Sequence, residues 1–254
     1  MFDRVLKRSL AWGLGLWWSV CAVGLQAAEL ANVGKGALVL DVCKIHLPGD
    51  ALRTFWRGPD GQTLAGLPQV DGWLRTRSER LLCGSNAGIY GKDLRPIGLY
   101  VEDRQVLRRL STRKDGYGNF YLQPNGALVL TEQSATIWET DALATVWDQL
   151  APSVRYATQS GPLLLQNRQI NPLFTPGSDN RLVRNAVCTR TPQEVVLAKS
   201  RYPINFYDFA NTLRDSLGCQ DALYLDGSIS ELFPLEGGLG APLGPMLGVA
   251  VPLK

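Results

Sequence analysis

The residues best suited to chemistry follow a short apolar run near the end of the chain. Residues 222–225 (Ala-Leu-Tyr-Leu) have the composition of a buried strand, and Asp226 directly follows them. Gly227 and Ser228 come next, so a tight turn can bring backbone amides and a hydroxyl beside the carboxylate. A carboxylate at the end of a rigid strand is suited to acid–base or nucleophilic work. An ordinary Asp-Gly turn without a catalytic role is the alternative.

Three further polar clusters occur at or beside the ends of apolar runs. They are Asn86-Ala87-Gly88, Ser160-Gly161-Pro162, and residues 178–185, which include Asp179, Arg181 and Arg184. Arginine together with backbone amides and small hydroxyls is the usual equipment for binding an oxyanion or a phosphate. A pair of carboxylates suits hydrolysis of a glycosidic bond. Asp226 is the clearest catalytic candidate, and Glu231 and Asp179 are the candidates for its partner.

The sequence argues against several other chemistries. His46 is the only histidine, so a zinc site built from several histidines is excluded. The chain has no Gly-x-Ser-x-Gly elbow, no Gly-x-Gly-x-x-Gly loop and no Walker loop. We therefore expect neither a metal nor an organic cofactor, and we interpret His46 as a structural or surface residue.

The spacing of apolar residues predicts an α+β fold with a mixed or mostly antiparallel sheet core. Helical periodicity predicts about three helices, over residues 70–80, 140–150 and 206–217. The other apolar runs are short and are separated by turn sequences, which favours many hairpins over parallel crossover units.

Two of the predicted hairpins have clear turn signals. The first joins residues 119–122 to 127–131 through Pro124-Asn125-Gly126. The second joins residues 182–189 to 195–199. Both would connect neighbouring antiparallel strands close to a polar cluster.

The first 28 residues have the order of a secretory signal peptide. Arg4, Lys7 and Arg8 precede an apolar run, and small residues end at Ala28. The apolar run is shorter than the ~20 residues that usually span a bilayer. We therefore predict cleavage near Ala28, no stable membrane span afterwards, and a periplasmic or secreted protein; an uncleaved anchor is the alternative. We interpret residues 29–254 as one domain.

Charge and cysteine content describe the predicted mature chain further. Without residues 1–28, which hold three basic residues and one acidic residue, the formal net charge falls from +3 to about +1. A near-neutral chain gives no electrostatic signal for nucleic acid. Four cysteines remain, at positions 43, 83, 188 and 219. They allow two disulfides in an exported protein, whereas buried free thiols are the alternative.

Several motifs, taken together and in order, resemble those of the phosphodiester glycosidase family. They are residues 86–90 (NAGIY), 95–102 (RPIGLYVE), 118–121 (GNFY), 160–164 (SGPLL), 180–187 (NRLVRNAV) and 224–227 (YLDG). The resemblance covers roughly residues 35–253. It implies hydrolysis of the bond between sugar C1 and oxygen in a sugar-1-phosphodiester, which leaves a phosphomonoester. The protein is thus expected to be an exported hydrolase acting on a cell-envelope or extracellular glycan.

The resemblance also implies which residues line the site. The motifs carry over Asn86, Ser160, Arg184, Asp226 and Ser228. Their neighbours Arg181, Gly227 and Ser230 complete the predicted set that binds substrate or phosphate. Many members have a glycine run and paired serines after the aspartate, whereas Ile229 here separates the two serines; Cys188 also stands where glycine is common. These departures bear on the substrate, and a non-catalytic glycan- or phosphate-binding domain on the same scaffold is the alternative function.

Overall fold

The computed structural model describes residues 28–226, 229–234 and 240–253. Residues 1–27 of the predicted signal peptide and the predicted site residues Gly227 and Ser228 lie outside these ranges. The helices within them are α1 (Leu67–Arg75), α2 (Thr140–Leu150) and α3 (Phe206–Ser216). The strands are β1 (Glu29–Val33), β2 (Leu40–His46), β3 (Ala51–Phe55), β4 (Glu79–Asn86), β5 (Tyr100–Glu102), β6 (Gln105–Arg108), β7 (Gly126–Leu130), β8 (Ala135–Glu139), β9 (Tyr156–Ser160), β10 (Leu163–Gln166), β11 (Gln169–Ile170), β12 (Asn185–Thr191), β13 (Glu194–Ser200), β14 (Asp221–Tyr224), β15 (Leu232–Phe233) and β16 (Met246–Pro252).

The strands form three antiparallel sheets, which confirms the predicted α+β class. The largest sheet has seven strands in the order β1-β2-β13-β12-β14-β10-β11. A second sheet has the order β15-β4-β16-β3, and a third has the order β6-β5-β9-β7-β8. Every strand pair identified within these sheets is antiparallel.

One buried apolar core joins the inner faces of all three sheets. Leu197 and Leu223 contribute from the seven-stranded sheet, Val249 from the second sheet and Leu128 from the third. Each outer face is covered by one helix, so that α3, α1 and α2 cover the first, second and third sheet. Alternate residues along a strand face opposite sides of a sheet. In this architecture they therefore point either into the shared core or under a helix.

Helix α3 fixes the strand that leads to Asp226. Its N-terminus is capped because Asn205 Oδ1 accepts a hydrogen bond from the Asp208 amide at 2.8 Å. Phe209 and Leu213 are buried against the outer face of β14. The burial of these side chains stabilises the segment that ends two residues before the candidate carboxylate.

The helix predictions at 140–150 and 206–217 are confirmed, and the one at 70–80 is displaced. Helix α1 begins three residues earlier than predicted, with Pro68 in its first turn. Proline favours that position because its missing N–H would have no partner there. The helix ends at Arg75, since Glu79 already starts β4, the central partner of β16.

One predicted hairpin is wrong and the other is confirmed. Residues 119–121 form a 3-10 turn, and the partner of β7 is β8, the strand that follows it in the chain. The Asn125 amide donates to the Phe120 carbonyl at 2.8 Å, which closes a compact loop instead of a strand ladder. Strands β12 and β13 pair as predicted, although β12 begins at Asn185 and not at residue 182.

Two disulfides connect the elements around the core. Cys43 of β2 bonds to Cys83 of β4, which ties the first sheet to the second. Cys188 of β12 bonds to Cys219, which follows α3. The four cysteines therefore form two disulfides and are not buried free thiols. None of the helices in the described ranges is long and apolar enough to cross a bilayer.

Candidate active site

The ends of β4 and β12 meet through a network of side-chain amides. Asn185, at the start of β12, donates from Nδ2 to Asn86 Oδ1 at 2.7 Å and to Ser85 Oγ at 2.9 Å. All three residues are at most 1% exposed. Buried polar groups are costly unless they are hydrogen-bonded, so this network holds the two strand ends in one arrangement.

The same network positions the segment that carries Glu231. Asn86 donates from Nδ2 to the Ile229 carbonyl at 2.7 Å, and its Oδ1 accepts from the Glu231 amide at 2.9 Å. Ser85 Oγ donates to the Glu231 carbonyl at 2.8 Å. Ser230 Oγ donates to the Val183 carbonyl at 3.0 Å. The backbone of Glu231 is thus held on both sides, so its side chain leaves from a rigid support.

The Glu231 carboxyl group lies in a tight and partly desolvated position. Burial raises its pKa, and the positive charge of Lys199 opposes that shift. A Cβ atom at position 240 would lie 1.5 Å from Glu231 Oε1, so only glycine leaves room for the carboxylate as it is placed. A raised pKa favours the protonated form of a carboxyl group, which is the form that can donate a proton.

Asp226 lies beyond the end of β14 and shares a hydrogen bond with a tyrosine. It is 8% exposed, and the Tyr90 hydroxyl is hydrogen-bonded to it. Burial is the largest cause of the raised pKa of Tyr90. The charge of Asp226 and this hydrogen bond raise the pKa further. The phenol therefore stays protonated and can donate. The Tyr90 hydroxyl also lies 3.1 Å from the Pro242 carbonyl, so its one proton serves one acceptor at a time.

Two of the predicted catalytic carboxylates act on the same hydroxyl. The charge of Glu231 also raises the pKa of Tyr90, which places Glu231 and Asp226 within electrostatic reach of one group. Glycoside hydrolysis commonly uses two carboxyl groups, one of them with a raised pKa, and Asp226 and Glu231 are the candidates for that pair. The structure thus brings together Asp226, Glu231, Asn86 and Ser230 from the predicted set.

Arg184 lies on the other side of the sheet from Asn185. It is 1% exposed, and its guanidinium lies 3.8 Å from the ring centre of Phe206 in α3. Its Nε donates to the Ile204 carbonyl at 2.7 Å, and Nη2 donates to the carbonyl and side chain of Asn180 at 2.9 and 3.1 Å. Most of its donors thus have protein acceptors, and phosphate binding by Arg184 stays a prediction.

A tyrosine connects Arg184 to the site. Arg184 Nη1 donates to the Tyr224 hydroxyl at 3.2 Å. Burial raises the pKa of Tyr224, Arg184 lowers it, and the charge of Asp226 raises it. Arg184 is therefore placed behind Tyr224, which itself lies within electrostatic reach of Asp226.

The remaining predicted residues in the described ranges lie on two separate segments, β9 and the loop before β12. Ser160 is buried on the inner face of β9, and its Oγ has no hydrogen-bond partner among the described residues. Asp179 and Arg181 are exposed on the loop before β12, where Arg181 lies 3.9 Å from Asp208. The role of Asp179 as the partner carboxylate stays a prediction.

Four residues near the carboxylates were not in the predicted set. Ser85, Tyr90 and Asn185 were each within or next to a motif that resembles the family, so their proximity to a predicted site residue was an available signal. Lys199 had no such signal, because only the pairing of β12 with β13 places it beside Asn185. Among the described residues, no three histidine, cysteine, aspartate or glutamate side chains are grouped closely enough to hold a metal ion.

Comparison with known proteins decides the family. Residues 80–243 match the family described as phosphodiester glycosidase. The chain belongs to the phosphodiester glycosidase family. This confirms the resemblance that the sequence motifs indicated, and the matched residues include Asn86, Ser160, Arg184, Asp226 and Glu231.

Relatives of this phosphodiester glycosidase family member cover most of the chain. This chain is 28% identical over 212 residues to the uncharacterized protein YigE of Escherichia coli strain K12. The matched region covers 84% of this chain and 80% of YigE. A similar solved structure is the zebrafish N-acetylglucosamine-1-phosphodiester alpha-N-acetylglucosaminidase catalytic domain, auto-inhibited by its pro-peptide. The TM-score is 0.58 at 15% identity, over 87% of this chain and 81% of that one. A hypothetical protein from Synechocystis has a TM-score of 0.51 at 16% identity, over 88% of this chain and 62% of that one. At these identities the two structures establish the shared fold.

Proposed function

We propose that this family member is an exported hydrolase that cleaves the glycosidic bond of a sugar-1-phosphodiester in a cell-envelope or extracellular glycan. The observation that carries the proposal is that Asp226 and Glu231 both lie within electrostatic reach of the Tyr90 hydroxyl, in a chain of the phosphodiester glycosidase family. The zebrafish relative's name describes an enzyme acting on a sugar-1-phosphodiester, which supports the same substrate class here.

In this proposal Asp226 acts as the nucleophile or as the general base. As a base, it takes a proton from a water molecule whose oxygen bonds to C1 while the C1–oxygen bond to phosphate breaks. As a nucleophile, it bonds to C1 first and water later releases the sugar. The Tyr90 hydroxyl orients this carboxylate when it donates to Asp226 and not to the Pro242 carbonyl.

Glu231 is the proposed partner that shares a proton with the oxygen of the phosphate leaving group. The bonding electron pair leaves with the phosphate oxygen, so the product is a phosphomonoester. The second pKa of such a group is about 6, so it departs without full proton transfer near neutral pH. A carboxyl group with a raised pKa can still share its proton with that oxygen as charge develops.

Export is part of the proposal and has two supports. Residues 1–28 have the charged, apolar and small-residue order of a secretory signal. The two disulfides are bonds that form and persist in oxidising compartments such as the periplasm. Mass spectrometry of the protein from a Gram-negative host should give a mature N-terminus near residue 29. An intact N-terminus in the membrane fraction would contradict export by cleavage.

A coupled assay on an aryl sugar-1-phosphodiester tests the proposed reaction. Cleavage at the sugar C1–oxygen bond releases an aryl phosphate, which gives colour only after a phosphatase is added. Cleavage of the aryl P–O bond would instead give colour directly and would contradict the assignment. Equilibrium binding of the substrate without any turnover would favour the alternative, a non-catalytic binding domain on the same scaffold.

A further inference from the structure

A cleft beside Glu231 is lined by polar side chains that the proposed chemistry has not used. It has a volume of about 310 Å³ and lies between the edge of the seven-stranded sheet and the strand β15. Asn32, Asp41, Lys199 and Arg201 form its polar wall, and Leu232 and Phe233 form the other wall. Leu232 directly follows Glu231 in the chain, and Lys199 of the polar wall lies within electrostatic reach of the Glu231 carboxyl group. We call it the Lys199 cleft.

The polar wall is produced by the register of the sheet. Asn32 pairs with Asp41, Asp41 pairs with Lys199, and Lys199 pairs with Asn185. Directly opposed residues in an antiparallel sheet share a face, with Cβ atoms about 4.5–5.5 Å apart. The pairs thus make one polar row across four strands on the inner face. Its inner end is Asn185, which hydrogen-bonds Asn86 in the candidate active site.

Among the charged residues of this polar row, Lys199 is the cation that can still bind a ligand. Asp41 Oδ1 accepts from Arg201 Nε at 2.7 Å and from Asn32 Nδ2 at 2.6 Å, so its carboxylate is already bound. Lys199 is half-buried and has no ion-pair partner within 4.0 Å in the described part of the chain. Its charge nevertheless lowers the pKa of Glu231, so the two groups lie within electrostatic reach without contact.

We propose that Lys199 binds the phosphoryl group of the substrate and of the phosphomonoester product in this cleft. The choice of a phosphoryl group rests on the proposed function. A phosphomonoester carries about −1.5 to −2 charges near neutral pH, more than the phosphodiester from which it forms. A fixed ammonium group beside the site therefore stabilises the leaving group most as the C1–oxygen bond breaks. The volume of about 310 Å³ also holds the atoms bonded to the phosphorus.

Binding of inorganic phosphate and of an aryl phosphate to the full protein tests this proposal directly. Lys199→Gln should weaken both by about ten- to a hundredfold, the loss expected for one charge-assisted hydrogen bond. Lys199→Arg keeps the charge and should retain most of the affinity. Lys44→Gln is the matched control, because Lys44 is on the outer face of the same sheet, is comparably half-buried and pairs with Glu29 at 3.7 Å. Its phosphate affinity should equal that of the wild type.

The outcomes separate this proposal from the proposed reaction. The Lys199 proposal is overturned if Lys199→Gln binds phosphate as tightly as the wild type. It is also overturned if Lys44→Gln weakens binding equally, or if the wild type does not bind phosphate. Weakened binding in Lys199→Gln alone supports it, even if no sugar-1-phosphodiester is turned over; the hydrolysis would then fail by itself. Unfolding curves of each variant check that the comparison is made on folded protein.

Discussion

Arg184 and Lys199 lie close in the same sheet but in opposite environments. Arg184 points to the outer face, where α3 covers it and where carbonyls, a phenol and an aromatic ring take up its donors. Lys199 points to the inner face, beside a cleft, and lacks an ion-pair partner in the described ranges. Arg184 lowers the pKa of Tyr224, which the charge of Asp226 raises, and Lys199 lowers the pKa of Glu231.

Residue type alone therefore does not determine which of these two cations contacts a phosphoryl group. A guanidinium fork suits phosphate better than an ammonium group does. A buried arginine whose donors already have acceptors gains little from a ligand, however, and removing it leaves those acceptors unpaired. The half-buried lysine has spare donors and an open volume in front of it. On this account Arg184 supports the site, while Lys199 contacts the substrate.

The largest effect is expected at Asp226, the carboxylate on the Arg184 side. Asp226→Asn keeps the shape of the side chain and removes its charge, so kcat should fall by ~10²–10⁴ while folding survives. Asp221→Asn is the matched control, at the start of the same strand, where its carboxylate accepts from the Asn167 amide at 2.8 Å. Turnover and thermal unfolding are measured on the same preparations. Near-normal turnover with early melting of Asp226→Asn would make this segment a structural turn.

A smaller effect, on stability, is expected for Arg184→Lys. The lysine keeps the charge but cannot reach the acceptors on Ile204, Asn180 and Tyr224 together, so unfolding should become easier by about 1.5–3 kcal/mol. Denaturant unfolding measures this, with Arg190→Lys as the control, because Arg190 is exposed and pairs only with Glu194 at 3.5 Å among the described residues. A rise of KM by about ten- to a hundredfold with unchanged stability would instead support direct phosphate binding by Arg184.

The smallest effect is a pH dependence at Glu231, on the Lys199 side. Its pKa is raised in the folded protein, so its contribution to stability is complete below the ordinary value of 4.5 and is lost as pH rises through the folded value. Glu231→Gln does not titrate there. The melting temperature of the wild type should therefore fall relative to Glu231→Gln as pH rises from 4 toward neutrality.

The same titration has a counterpart in activity. If Glu231 shares its proton with the leaving oxygen, kcat of the wild type should decline as pH rises through the raised pKa, and Glu231→Gln should lack that decline. A stability difference that stays constant across this pH range would contradict the raised pKa. Identical pH profiles of kcat for both proteins would remove Glu231 from the proton transfer.

Local patterns predicted the parts of the fold that local chemistry determines. Helix α3 could be recognised because a capping asparagine precedes an apolar stripe of helical spacing. The predicted hairpin at 119–131 failed because the Asn125 side chain satisfies the Phe120 carbonyl within the loop, a contact that turn statistics do not contain. The start of α1 was missed because the predicted helix began at the first residue of the apolar stripe, Val70, whereas the structure begins it at Leu67 with Pro68 in the first turn.

Some residues of the candidate site could likewise be predicted from local sequence, whereas others could not. Asp226 and Asn86 could be found because each lies at the end of an apolar run and within a family motif. The bond between Asn185 and Asn86 joins residues 99 positions apart, and the pairing of Lys199 with Asn185 depends on strand register. A shift of one residue would turn Lys199 to the opposite face. Such long-range placement follows from the packing of three sheets around one core, which no local window of sequence contains.

Hydrolysis in ¹⁸O-labelled water shows which bond of the sugar-1-phosphodiester is cleaved. Cleavage between sugar C1 and oxygen predicts that the phosphomonoester product carries no label, because its four oxygens all come from the substrate. The ³¹P NMR signal of the product should therefore show no isotope shift, and Asp226→Asn should release little product under the same conditions. Incorporation of ¹⁸O into the phosphomonoester would mean that water attacks phosphorus, and this result would contradict the account of Asp226 and Glu231 given above.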